Sequence, residues 1–116
     1  MKLNKLVKIE SGINSVRVKD QNYTLYTIED VNYDLGHGED YQHDKASGKS
    51  ITAKGDVVIN TVSNLASVVH SRNAGKMLNQ IFLRLNILDE NTFTTSLIVL
   101  IILTMPQVII DIFYGI

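Results

Sequence analysis

The chain of 116 residues has no cysteine, no tryptophan and only one proline, Pro106. The missing thiols exclude disulfides, thiolate metal centres and cysteine nucleophiles together, and they fit a reducing compartment, so the cytoplasm is the expected location. No P-loop, G-x-S-x-G elbow or zinc-deaminase signature occurs anywhere in the sequence. Gly36-His37-Gly38 begins like a dinucleotide fingerprint, but Tyr41 stands where the third glycine belongs and no helix opens behind it. His37, Glu39, Asp40, His43 and Asp44 are metal-ligand types. Their histidines, however, lack the i, i+4 spacing of a zinc-binding helix, and the reading preferred here is a solvated loop. The expectation is a non-catalytic protein with no cofactor and no metal. The opening MKLNKLVKIESG carries lysines without a continuous apolar core, which argues against a secretory signal.

What is present is a globular composition, 45% hydrophobic and 20% charged, at a length that accommodates one core. The formal net charge of -1 hides blocks of opposite sign. Residues 1–19 carry five bases and one acid, and 20–40 carry six acids and no base. Residues 41–86 carry six bases and two acids, and 87–116 carry three acids and no base. The first and third blocks are therefore each locally +4 and could face a polyanion, although a solvated lysine-bearing surface has the same composition.

Residues 55–86 hold the clearest pattern. Val57-Val58-Ile59 after the turn Lys54-Gly55-Asp56, and Leu65 to Val69 after Ser63-Asn64, read as two paired strands. Val58, Val62, Leu65 and Val69 also fall at helical spacing. The abundance of Val, Ile, Thr and Ser favours strands, because these residues lose rotamer freedom in a helix or compete for its backbone bonds. After the turn cluster Asn73-Ala74-Gly75-Lys76, the alternation of Ile81, Leu83, Leu85 and Ile87 with Arg84 and Asn86 predicts a third strand over residues 77–87. Leu3, Leu6, Val7 and Ile9, spaced among lysines, predict a short N-terminal helix ended by Ser11-Gly12. Tyr23 to Ile28 reads as a strand closed by Glu29-Asp30, and residues 32–50 as the longest loop.

Asp89-Glu90-Asn91-Thr92 is a polar link that could also cap a helix starting near Phe93. From Ser96 onward the chain is almost wholly apolar, broken by Pro106-Gln107 and Asp111. A membrane span over residues 97–116 needs those three residues inside it and lacks basic flanks. Two short buried segments separated by Pro106 are the expectation, packed on the domain or on another chain, with no membrane partner.

The order of elements resembles a known family. Ser11-Gly12, Tyr26-Thr27-Ile28-Glu29-Asp30 with Asp34-Leu35, Gly55-Asp56-Val57-Val58-Ile59, and Asn73 through Gln80 together resemble a target recognition domain of the specificity subunit of type I restriction-modification systems. The resemblance implies an α+β domain over residues 1–92, a small twisted, mostly antiparallel sheet with a short N-terminal helix, followed by C-terminal apolar helices over residues 93–116. It implies a protein that reads one half of a bipartite site on double-stranded DNA without catalysis, alongside methyltransferase (modification) and restriction subunits. The two-domain architecture and long spacer helices of a full specificity subunit are not seen here, which gives the chain a truncated look.

Within that frame Arg17, Lys19, Lys45, Lys49, Lys54, Arg72 and Lys76 are the expected phosphate contacts. Asn60, Asn64, Asn73, Asn79 and Gln80 are the amides suited to adenine, and Arg72 or Arg17 to guanine. Each amide also has a purely structural alternative in shaping turns. A protein-interaction module using residues 94–116, including association with a second copy, is the competing expectation, and a small membrane-associated protein is the third.

Overall fold

A computed structural model of the chain describes residues 7–12, 24–37, 50–87 and 92–115. It is an α+β fold. Its sheet has four strands, β1 (Val7–Ser11), β2 (Val57–Asn60), β3 (Leu65–Val68) and β4 (Phe82–Ile87), in the order β1-β4-β2-β3 with every neighbouring pair antiparallel. Helix α1 (Ile28–His37) lies between β1 and β2 in sequence, and α2 (Thr92–Thr104) and α3 (Pro106–Phe113) follow β4.

The strand alternation sorts side chains onto two faces. Val57 and Ile59 of β2, Ala66 and Val68 of β3, and Leu83, Leu85 and Ile87 of β4 share one core cluster with Val7 of β1. Ile98, Val99 and Ile102 of α2 and Ile109 and Ile110 of α3 close that core from outside the sheet. On the opposite face Val58, Val69 and Phe82 pack with Tyr26, Val31 and Leu78, and α1 covers β3 there. The sheet is thus the middle layer of three, which explains why all four residues of β2 are buried.

Strands β2 and β3 and the hairpin that joins them fall where the sequence places them. Asn64 closes the hairpin in a left-handed conformation, φ 58°, which asparagine tolerates better than most residues. The third expected strand is shorter than predicted: residues 77–81 approach the sheet as isolated bridges and turns, and the ladder begins at Phe82. Pro106 does separate two helices, sitting in the first turn of α3 where its missing N–H costs no bond.

Three segments differ from expectation. Val7–Ser11 is a strand and not the end of a helix, because its period-two alternation matches β4: Val7 faces Ile87 and Glu10 faces Arg84. The preceding residues 1–6 lie outside the described residues. Residues 24–27 make only a bridge, Leu25 to Met77, before the chain turns into α1. Residues 32–37, expected as loop, are helical. The Thr27 N–H donates to Asp30 Oδ2 at 2.9 Å, and Glu29 and Asp30 occupy the first turn, where carboxylates suit the helix dipole. The metal-type loop falls mostly outside the described residues, within which no group of three potential ligands occurs.

Candidate nucleic-acid interface

Helix α1 is fastened to the sheet by a buried carboxylate. Asp34, 1% exposed, accepts the Tyr26 hydroxyl on Oδ2; its Oδ1 accepts the Asn73 amide at 2.8 Å and the His70 N–H at 3.2 Å. The Tyr26 hydroxyl also lies 3.3 Å from Ser67 Oγ on β3. Burial, and then the bond to Asp34, push the Tyr26 phenol well above its ordinary range. A carboxylate satisfied by three donors fixes the helix against residues 70–73 with a directionality that apolar packing lacks.

Residues 70–76 continue this scaffold. His70 caps a short 3-10 turn, Ser71–Asn73, its Nδ1 accepting the Arg72 N–H at 3.0 Å. Lys76 Nζ donates to Asp30 Oδ1 at 2.8 Å and Asn73 Oδ1 at 3.0 Å, tying the loop to the start of α1. Thr52 Oγ1 donates to the Asn73 carbonyl at 2.7 Å and accepts the Lys76 N–H at 2.9 Å. The Gly55 N–H reaches the Val69 carbonyl at 2.9 Å, which sets the Lys54-Gly55 turn beside His70. Gly55, at φ 86°, and Gly75, at φ 82°, take conformations that favour glycine at these turns.

On the outside of this framework is a cluster of planar side chains. The Arg72 guanidinium carbon lies 4.3 Å from the centre of the Tyr33 ring. His37 stacks on the same ring at 4.1 Å, with 9° between planes, and His70 meets it edge-on at 5.4 Å. His37 Nδ1 is 3.0 Å from the Tyr33 carbonyl oxygen, which holds the imidazole against the helix. Among the described residues Arg72 makes no ion pair, and its side chain, like that of Lys54, is exposed. A stacked guanidinium keeps its donor fork in a fixed plane, the geometry that suits phosphate oxygens and the guanine major-groove edge.

The expected contact residues divide between the two ends of the sheet. Lys54, Arg72 and Lys76 gather at the end where β2 starts and β3 finishes. Asn64, Asn79 and Gln80 lie at the other end, where β2 leads into the hairpin and β4 begins. Several have structural work of their own. Asn73 is buried and bonded to Asp34 and Lys76, and Lys76 is paired with Asp30. Asn60 is buried with its Oδ1 accepting the N–H groups of Val62 and Ser63, and Asn79 Oδ1 accepts the Ile81 N–H at 3.2 Å. Lys54, Asn64, Arg72 and Gln80 are the expected contacts that remain on the surface. Arg17, Lys19, Lys45 and Lys49 lie outside the described residues.

A second polar centre sits beneath the strand that the sequence marks as a strand with Arg84 in it. Arg84, 3% exposed, donates to the Ile51 carbonyl at 2.6 Å and to Glu10 Oε2 at 3.0 Å, with Asp56 Oδ2 at 3.5 Å. Asn86 adds a bond to Glu10 Oε1 at 3.0 Å. Arg84 thereby joins β1, β4 and the loop before β2, a role in assembly rather than in ligand contact. Burial raises the Asp56 carboxyl above its ordinary value, opposed by the Ala53 N–H and by Arg84.

The sequence points to Arg72 but not to Tyr33, the ring on which it stacks. The signal for His70 is its position two residues before Arg72, a capping spacing; Tyr33 carries no signal until the helix around it is known. Gly12, quoted for the family resemblance, proves sterically specific: a Cβ there would come within 1.9 Å of the Asn79 carbonyl oxygen, so β1 and residue 79 meet backbone to backbone. Comparison with known protein families, with curated proteins and with solved structures finds no match to the chain.

Proposed function

We propose that the chain is a non-catalytic DNA-reading domain of the type I specificity-subunit kind, engaging one half of a bipartite duplex site with the end of the molecule built from α1, the Lys54-Gly55 turn and residues 70–76. The observation that carries this reading is the Arg72 guanidinium stacked on Tyr33 on a rigid, hydrogen-bonded loop. Lys54 beside it supplies a second exposed cation. In this reading Lys54 positions the domain on the phosphates, while Arg72 addresses either a phosphate or the O6 and N7 acceptors of guanine. Asn64 and Gln80, at the far end of the sheet, are outside this contact. Methyltransferase and restriction subunits supply the chemistry in the same proposal. A single small module with few contacts binds weakly, so the affinity of the chain alone is modest.

Titration of the folded protein into fluorescent duplex DNA at low ionic strength, repeated at rising salt, tests the reading. Binding that weakens steeply and log-linearly with salt is expected. Absence of binding at the lowest salt, with the fold intact by circular dichroism, contradicts it.

A further inference from the structure

We infer, resting on the DNA reading above, that Arg72 reads a guanine of the duplex and that Tyr33 is the positioning residue that makes it selective. The Tyr33 ring is itself held by its neighbours. His37 stacks on it at 4.1 Å with 9° between planes, His70 meets its edge at 5.4 Å, and the Arg72 guanidinium carbon lies 4.3 Å from its centre. Next in the chain, Asp34 anchors α1 by accepting from the Tyr26 hydroxyl, the Asn73 amide and the His70 N–H. The backbone that carries Arg72 is fixed as well: its N–H donates to His70 Nδ1 at 3.0 Å, and the Asn73 N–H donates to the His70 carbonyl at 2.8 Å. Both ends of the Arg72 side chain are therefore placed before any ligand arrives.

That much placement exceeds what a phosphate contact needs. A phosphate is satisfied by charge within reach, and an unrestrained lysine supplies it. The O6 and N7 acceptors of guanine instead ask for two donors lying in the plane of the base. A guanidinium held on an aromatic ring offers that fork with less side-chain freedom left to lose on binding. The other groups at this end leave base reading to Arg72. Asn73, suited by type to adenine, is 1% exposed and bonded to Asp34 and Lys76, and Lys76 is paired with Asp30 at 2.8 Å. Arg72 is exposed and, among the described residues, has no ion pair to give up. Lys54, also exposed, is left to the phosphates.

Selection by the full chain from a pool of random-sequence duplexes at low ionic strength, followed by fluorescence anisotropy on the selected duplex with each base pair replaced in turn, tests this. The expected result is one guanine whose replacement by adenine weakens the wild type about tenfold. Tyr33→Phe keeps the ring and shows the same dependence. Tyr33→Leu and, separately, Arg72→Lys discriminate between the two duplexes by no more than about twofold. Tyr33 is half-buried, Arg72 is exposed and leucine is a good helix former, so both variants keep the circular dichroism spectrum of the wild type. A wild type that binds the pool with the expected salt dependence but prefers no guanine overturns this inference and leaves the DNA reading standing. A wild type that binds no duplex overturns both. A guanine preference that Arg72→Lys retains overturns the assignment to Arg72, and one that Tyr33→Leu retains overturns the role of Tyr33.

Discussion

The two faces of the sheet are built on opposite principles. Against α2 and α3 the contact is mainly aliphatic, from Val57, Ile59, Leu83 and Leu85 to Ile98, Ile102 and Ile109. On the other face it is half polar: Tyr26, Val31 and Phe82 pack together, Asp34, Asn73 and Ser67 fasten α1 through directed bonds, and Arg84 and Glu10 join β4 to β1. The aliphatic side supplies non-directional burial that tolerates small shifts of a helix. The polar side fixes one position for α1 and for residues 70–76, because a buried carboxylate or guanidinium left without its partners is costly. The candidate interface stands on the polar side, where a proposed contact residue such as Arg72 has a rigid support.

That contrast can be broken from either side. The largest effect is expected from Arg84→Met, which leaves Glu10 and Asp56 facing each other without the cation and should cost about 3 kcal/mol or more in urea unfolding. A loss below about 1 kcal/mol would mean that the ion network does not secure the strand order. Ile102→Ala opens a cavity in the aliphatic core and should cost about 3 kcal/mol while leaving DNA binding of the folded fraction unchanged, since α2 and Arg72 lie on opposite sides of the sheet. Altered DNA affinity in that variant would show that the two faces are coupled.

The smallest effect sharpens the picture of the polar side. The Asp56 carboxyl has a folded-state pKa raised above its ordinary 3.8, so the folded protein holds that proton more tightly than the unfolded chain. Its contribution to stability is therefore fully present below that value and is lost as pH rises through the raised one. Asp56→Asn removes this component. Urea midpoints measured from acid to neutral pH should then rise with pH more than those of the wild type, while stability at neutral pH changes by about 1 kcal/mol or less. Parallel pH profiles for the two proteins would contradict the assignment.

The aliphatic side was legible in the sequence and the polar side was not, for a physical reason. Val57-Val58-Ile59, Leu65 to Val69 and Leu83, Leu85, Ile87 announce themselves by composition and alternation, and Pro106 marks the break between α2 and α3. Helix α1 shows no apolar stripe, because its buried positions are Val31 and Asp34 while Ile28 and Leu35 face water. A periodicity search looks for oil where this helix buries a carboxylate. The lysines near Val7 imitate a helical face, yet Val7–Ser11 pairs with β4 because Glu10 meets Arg84 across seventy-four residues, a partnership that no local window contains. Of the proposed contact residues, Arg72 was readable as a cation. Its stacking on Tyr33 follows only once α1 is folded and docked.

The salt dependence of duplex binding by the wild type and by Arg72→Ala, measured on the same DNA by fluorescence anisotropy, tests the proposed interface most directly. If Arg72 contacts the duplex, the variant binds more weakly, and where that contact is to a phosphate the slope of log affinity against log salt falls by about one. If Arg72 reads guanine instead, the loss depends on the base sequence. Equal affinity and equal slope on every duplex tried, with both proteins folded, would contradict the account.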